Sequence, residues 1–196
     1  MKLRGAPLGY ETMGAYYNRA VLDSSVPATW EEFDASFLVN AENAPVALGL
    51  GSKYITQAPA VASLFLVQND VDSVARVGES SAVKGLDSYL KYAKPSASGE
   101  SSGLASLKAD MDKKNFSTTD LFAMGKLSIV FGYPSLLREI EYSIKRVGND
   151  SELNKKDLRS APVPQYQSGK KVNLAKFNYF AVSKYSLNLS AAGDFV

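Results

Sequence analysis

The chain has 196 residues, 45% of them hydrophobic, with 22 basic and 20 acidic residues interspersed to a net charge of +2; this excludes disorder over the whole length and gives no electrostatic footprint for nucleic acid. Neither Cys nor His is present, so thiolate and imidazole nucleophiles, His general bases, disulfides and the usual zinc and haem ligands are all ruled out. No apolar run reaches the roughly 18 residues needed to span a bilayer, and Met1-Lys-Leu-Arg-Gly-Ala-Pro7 has no apolar region behind its basic residues, so either the protein is cytoplasmic or its signal lies outside this sequence.

Residues 3 to 20 mix Tyr, Met, Ala and Leu with Gly and Pro, which predicts one or two short strands near a surface, ended by Asn18. Tyr16 and Tyr17 are adjacent in a strand and face opposite ways, so one of them belongs to the core. Thr29-Trp-Glu-Glu32 reads as a capping box: the Thr29 hydroxyl accepts from the Glu32 amide, and the Glu32 carboxylate reaches back. A helix from Trp30 to about Asn40 follows, with Trp30, Phe33, Phe37 and Leu38 on one face. Trp30 begins that apolar stripe, which assigns it to packing rather than to ligand stacking. Ala47-Leu-Gly-Leu-Gly-Ser52 reads as a buried strand; it lacks the lysine of a phosphate loop and the third glycine of a dinucleotide fingerprint.

The next helix starts between Thr56 and Ala60, with Pro59 in the first turn, and buries Val61, Leu64, Phe65 and Gln68. A further period, Val83, Leu86, Tyr89, Leu90 and Ala93, ends at Pro95, and residues 95 to 103 form a polar loop within one domain. Thr118 or Thr119 caps a short helix to Ala123, and Gly125 stands where a left-handed cap is wanted. Leu127 to Phe131 is a buried strand, Gly132-Tyr-Pro134 a turn, Ser135 to Arg146 an amphipathic helix, and Gly148 to Asp157 solvated loop. Ala161-Pro-Val-Pro-Gln165 is extended and belongs at a sheet edge, because its prolines lack amides. Lys176 to Ser183 alternates as a strand, and a helix begins near Asn188 to Ser190 with Leu189, Ala192, Phe195 and Val196 as its apolar stripe. That helix stops after about two turns, short of ordinary length, which together with the missing signal leads to the expectation of a segment from a longer protein. Helices alternating with short buried strands give an α/β layered fold without an internal repeat.

Several stretches in this order resemble the extracellular solute-binding proteins of ABC importers. Gly14-Ala-Tyr-Tyr-Asn-Arg19 resembles the family's strand of leucine, two tyrosines, asparagine and lysine, and Pro27-Ala-Thr-Trp-Glu-Glu32 its proline, lysine, threonine, tryptophan, aspartate and glutamate turn and helix. Phe122-Ala-Met-Gly-Lys-Leu-Ser-Ile-Val-Phe-Gly-Tyr133 is similar to its helix end, strand and binding loop. Ala161-Pro-Val-Pro-Gln165 resembles the proline-bracketed strand, and Phe180-Ala-Val-Ser-Lys184 with Ser190-Ala-Ala-Gly-Asp-Phe195 the hinge strand and the helix after it. The chain departs from the pattern at Ser128, where the family tends to have Ala, at Gly193, and at Tyr133-Pro134, where the family has a Trp.

The resemblance implies an α/β fold forming one lobe of a periplasmic-binding-protein-like architecture, a short central sheet flanked by helices. Residues 1–196 would then be a single domain, the C-terminal lobe, with about 1–12 and 176–196 as hinge crossings and the N-terminal lobe missing. It implies a binding protein rather than an enzyme, which captures a small-molecule solute, more readily a sugar than a peptide or metal, between two lobes that close like a hinge and deliver it to an ABC permease. The full-length protein would work outside the cytoplasm or in the periplasm, anchored as a lipoprotein. No cofactor, metal or nucleic acid is implied, and the isolated lobe is expected to self-associate through its exposed cleft face.

A polar solute needs aromatic faces and hydrogen-bonding groups at the strand ends. That selects Tyr10, Glu11 and Thr12 on the crossing segment, Tyr54 and Gln57 after the 47 to 51 stretch, and Tyr133 after the 127 to 131 strand. Two other readings remain open: a glycan-active α/β enzyme with two carboxylates in one pocket, and a protein-interaction module without a small ligand. Asp110, Asp112, Asp120, Glu139 and Glu141 are assigned to scattered helix surfaces and to no acid–base pair.

Overall fold

The computed structural model describes residues 6–22, 24–38, 46–50, 53–93, 111–112, 114–183 and 185–195. The predicted loop at 95 to 103, Asn40, the 51–52 end of the predicted strand, Asp110 and Val196 lie outside the described residues. The described residues form the strands β1 (Ala6–Thr12), β2 (Gly14–Asn18), β3 (Ile129–Gly132), β4 (Leu158–Pro162) and β5 (Ala175–Phe180). The described helices are α1 (Trp30–Phe33), α2 (Ala58–Gln68), α3 (Ser80–Ala93), α4 (Thr118–Ala123), α5 (Leu136–Val147) and α6 (Leu189–Phe195).

The antiparallel sheet β3-β2-β4 is the middle layer, and the two-residue period of its strands divides the core. Ala15, opposite Phe131, joins Ile129, Trp30, Phe33, Val61, Phe65, Tyr89 and Tyr92 on the side of α1, α2 and α3. Tyr16, opposite Val130, joins Leu121, Phe122, Leu136 and Ile140 on the side of α4 and α5. Of the two adjacent tyrosines, Tyr16 is therefore the buried one, 5% exposed. Asn18 ends β2 by turning its Oδ1 onto the Ala20 amide at 3.0 Å. β4 lies at the sheet edge, where its proline interrupts no ladder. β1 and β5 pair antiparallel as a separate two-stranded ribbon leading out of the sheet.

Several local readings need correction. Residues 47 to 50 are not a strand: Val46 makes one parallel bridge to Ile129, and Ala47–Leu50 then coils as a 3-10 turn. Ala47 and Leu50, three residues apart, enter one core cluster while Leu48 enters the other. A strand would have put Leu48 and Leu50 on the same face, and a short apolar run does not separate the two cases by pattern alone. On α3 the buried face is Ala82, Gly85, Tyr89 and Tyr92, whereas Val83, Leu86 and Leu90 are exposed. The two tyrosine rings sit 6.0 and 5.8 Å from Phe65 and outweigh the aliphatic stripe.

α4 is capped by Ser117, not by either threonine: the Ser117 hydroxyl accepts from the Asp120 amide at 3.2 Å, and the Asp120 carboxylate accepts from the Ser117 amide at 2.6 Å. Asp120 is wholly buried rather than on a helix surface, and it also receives Arg146 Nε at 2.9 Å. Thr119 instead receives the Ser143 hydroxyl at 2.9 Å. Gly125 has φ +69°, as its predicted left-handed cap requires. At α1 the Thr29 hydroxyl accepts from the Glu32 amide at 3.2 Å, while the neighbouring Glu31 carboxylate receives the Gln167 amide. The helix is α-helical for its first turn and then widens into a π-helical Asp34–Leu38. The stretch after α5 is not wholly solvated, because Leu153 is 3% exposed and its amide donates to Ala123 O.

Candidate functional site

The neighbouring ends of β2 and β3 meet at the pair Gly14 and Gly132. A Cβ on Gly132 would lie 2.8 Å from Leu136 Cδ2 and 3.3 Å from Gln57 Cγ, so the bare glycine lets the first turns of α2 and α5 close on the sheet end. Gln57 occupies the N-cap position of α2 and Tyr133 follows β3 directly. Glu11 enters from β1, two residues before Met13 turns the chain into β2. Its Oε2 is fully enclosed and has no hydrogen-bond partner.

Burial raises the pKa of both Tyr16 and Tyr133, and the Glu11 charge raises both further. Glu11 is thus close in space to the two tyrosines although five and 122 positions separate it from them in the chain. A carboxylate oxygen enclosed without a donor is an unmet acceptor. Of the six residues selected from the sequence, Glu11, Gln57 and Tyr133 are therefore brought to one end of the sheet.

The other three lie elsewhere. Tyr54 precedes Gln57 by three residues, but its hydroxyl donates to Asp112 Oδ2 at 3.0 Å, and Lys53 Nζ donates to both Tyr54 Oη at 3.2 Å and Asp112 Oδ1 at 3.1 Å. The Tyr54 carbonyl accepts from the Thr118 hydroxyl at 3.2 Å, which ties the turn before α2 to α4. Tyr10 and Thr12 alternate with Glu11 along β1 and so project from the opposite face of the ribbon. There Tyr10 stands over Phe177 at 5.9 Å and is 68% exposed. Sequence reasoning left out Tyr16, whose adjacency to Tyr17 signalled only that one of them was core. It also left out Asp112, for which no sequence signal exists, since Tyr54 and Asp112 are 58 positions apart.

The Lys53 contact, followed by the Tyr54 hydrogen bond, holds the Asp112 carboxyl below the ordinary Asp range. Because the folded value is the lower one, the tie is complete above the unfolded value of about 4 and is lost as pH falls through the folded value. A carbon-detected NMR titration of Asp112 is expected to show a midpoint below about 4 with Tyr54 ring shifts following it; an Asp112 midpoint at or above 4 counts against the tie.

Among the described residues, no helix is long and apolar enough to cross a membrane, and no group of acidic side chains is arranged to hold a metal. No family model and no curated protein matches the sequence. Solved structures do match. The GacH receptor of Streptomyces glaucescens GLA.O, determined unliganded and with acarbose and an acarbose homolog, superposes with a TM-score of 0.62 at 18% identity over 99% of this chain and 47% of that one. A cyclo/maltodextrin-binding protein in complex with maltotetraose superposes with a TM-score of 0.60 at 17% identity over 98% of this chain and 46% of that one. The chain spans about half the length of each. Its fold is that of one lobe of a periplasmic-binding-protein architecture, with small sheets flanked by helices.

Proposed function

We propose that the chain is the C-terminal lobe of a solute-binding protein of an ABC importer, and that Glu11, Gln57 and Tyr133 form its half of a carbohydrate site. The observation that carries this reading is the enclosed, partnerless Glu11 Oε2 beside two tyrosines at the end of the sheet. Carbohydrate recognition needs a carboxylate or amide acceptor and an aromatic face in one place, and the neighbours of matching fold are described with acarbose and maltotetraose. The β1–β5 ribbon is the hinge crossing, and a second lobe supplies the remaining contacts. Closure of the two lobes on the solute then presents the closed form to a permease. The whole protein acts outside the cytoplasmic membrane as a lipoprotein, and the lobe alone self-associates through its exposed faces.

The binding reading is favoured over the glycan-active enzyme because, among the described residues, Glu11 is the one carboxylate whose charge reaches Tyr16 and Tyr133, whereas glycoside hydrolysis needs two carboxylates flanking the bond. The test is a titration of the chain with maltotetraose, followed by calorimetry and by backbone amide NMR. One lobe makes only part of the contacts, so heat is expected to be weak or undetectable, with millimolar, saturable shifts confined to the amides around Glu11, Gln57 and Tyr133. Micromolar affinity, or saturating maltotetraose without localised shifts, overturns the proposal.

A further inference from the structure

The β1–β5 ribbon leaves the main sheet with rings on its surface. Residues directly opposite one another in an antiparallel pair share a face, so the Tyr10 and Phe177 pair, with Tyr179 two positions along β5, sets three rings on one side. The rings follow one another at 5.9 Å between Tyr10 and Phe177 and 6.2 Å between Phe177 and Tyr179, and they are 68%, 56% and 59% exposed. A two-stranded ribbon is marginal in water by itself, and further strands are what make such a face stable.

The two edges of the ribbon differ. Among the described residues β1 and β5 pair only with each other, so each has an outer edge. β1 is poorly made for a further strand: Pro7 has no amide to donate, and the register shifts between Pro7 and Gly9, a bulge that bends the strand. β5, Ala-Lys-Phe-Asn-Tyr-Phe, contains neither proline nor glycine. Its one charge, Lys176, stands opposite Glu11 of its own ribbon. An open edge on β5 beside a blunted one on β1 adds strands on one side only.

β5 is also complementary to itself. Turned antiparallel about Asn178, it sets Phe177 opposite Tyr179 of the second copy and Tyr179 opposite Phe177 of that copy, which makes two cross-strand aromatic pairs. The two Lys176 side chains stay apart in this register, so no like charges meet. We infer that β5 is a dimerisation edge, at which two copies of this chain pair antiparallel into a four-stranded sheet ordered β1-β5-β5-β1, with the rings of both copies along one face. The two-fold axis closes the assembly, and the Pro7 bulge at each outer edge stops it from growing into a fibre. The inference rests on the self-association proposed above and names its surface; it is independent of the Glu11 site, which the maltotetraose titration tests separately.

The test is sedimentation velocity of the chain over a range of concentrations, with three variants. A reversible dimer is expected, without larger species. Phe177→Lys replaces an exposed ring, so its thermal unfolding is expected to match the parent's while its dimer dissociates about tenfold more readily, two aromatic pairs being lost. The chain has no Cys, so Asn178→Cys places a single thiol at the axis, where the Cα separation of a directly opposed pair suits a disulfide. Oxidised Asn178→Cys is expected to run as a covalent dimer, and Leu8→Cys on the bulged edge is not. A chain that stays monomeric at every concentration overturns the self-association and this inference together. A dimer that Leu8→Cys cross-links and Asn178→Cys does not, or that Phe177→Lys leaves as tight as the parent's, overturns the β5 edge alone.

Discussion

Trp30→Ala is expected to cost the protein about 4 to 8 kcal/mol of folding stability at 25 °C. The indole is wholly buried, with ring centroids 4.5 Å from Phe65, 5.3 Å from Phe33, 5.9 Å from Tyr92 and 6.0 Å from Phe131. It therefore joins α1, α2, α3 and β3 in one cluster. Truncating a buried Trp to Ala costs about 3 to 5 kcal/mol through lost transfer energy and the cavity left behind. The loss of Nε1 adds to this, because Gln68 Oε1 keeps its burial and loses its donor, at about 1 to 3 kcal/mol. Against a total stability of about 5 to 15 kcal/mol for an ordinary domain, a sum of about 4 to 8 kcal/mol is a large share of what holds the fold and reaches all of it at the lower end. Trp30→Phe keeps a six-membered ring in place and removes the donor with the pyrrole part of the indole, so a loss smaller than that of Trp30→Ala but of at least about 1 to 3 kcal/mol is expected. Urea unfolding followed by circular dichroism checks both; an Ala variant within 1 kcal/mol of the parent contradicts the central position of this ring.

The same residue shows which features were legible beforehand. Trp30 followed a good N-cap and opened an apolar stripe at helical spacing, so its place in the core could be read from local order alone. The same holds for α2, where Pro59 and the Val61, Leu64, Phe65 and Gln68 spacing agree, and for the Ala161-Pro-Val-Pro-Gln165 stretch that β4 runs into, where two prolines demand an edge. The misreadings fall where the deciding partner is far away in sequence. The face of α3 is set by Tyr89 and Tyr92 reaching Phe65; the predicted stripe includes Tyr89 but also Val83, Leu86 and Leu90, which are exposed. Ala47 to Leu50 looked like a strand because four apolar residues serve a strand or a 3-10 turn equally well, and the choice was made by two core clusters that lie on either side. Asp120 reads as a surface charge because a cap at Thr118 or Thr119 gives its carboxylate no partner, and because Arg146 is 26 positions away.

The candidate site divides in the same way. The resemblance to solute-binding proteins led to the strand-end residues; Gln57 packs against Gly132, Tyr133 follows it, and the Glu11 charge reaches Tyr133. Alternation along β1 was readable from the start and implies that Tyr10 and Thr12 cannot share a face with Glu11. The Lys53, Tyr54 and Asp112 tie was not readable, because it joins two segments across 58 positions.

Replacing Glu11 with Ala is expected to weaken maltotetraose at the Gln57 and Tyr133 amides by about 10- to 100-fold, the equivalent of the 1.5 to 3 kcal/mol of one hydrogen bond to a buried charged group. The same change should leave folding stability unchanged or raise it, by up to about 1 kcal/mol, because the side chain removed has an enclosed oxygen that no protein donor satisfies. Opposite signs for binding and for stability are what distinguish a ligand group from a structural one. A carboxylate that served packing or the β1–β5 ribbon would lose stability when truncated and change binding only through unfolding. Glu11→Gln keeps the shape and removes the charge, so the Tyr16 and Tyr133 hydroxyls should titrate at lower pH than in the parent, burial alone still holding them above ordinary tyrosine. Ultraviolet titration of the phenols reads that shift. A Glu11→Ala protein that is destabilised by more than about 1 kcal/mol, or that retains the parent's maltotetraose shifts, would assign Glu11 to the scaffold and leave the sheet end without its principal acceptor.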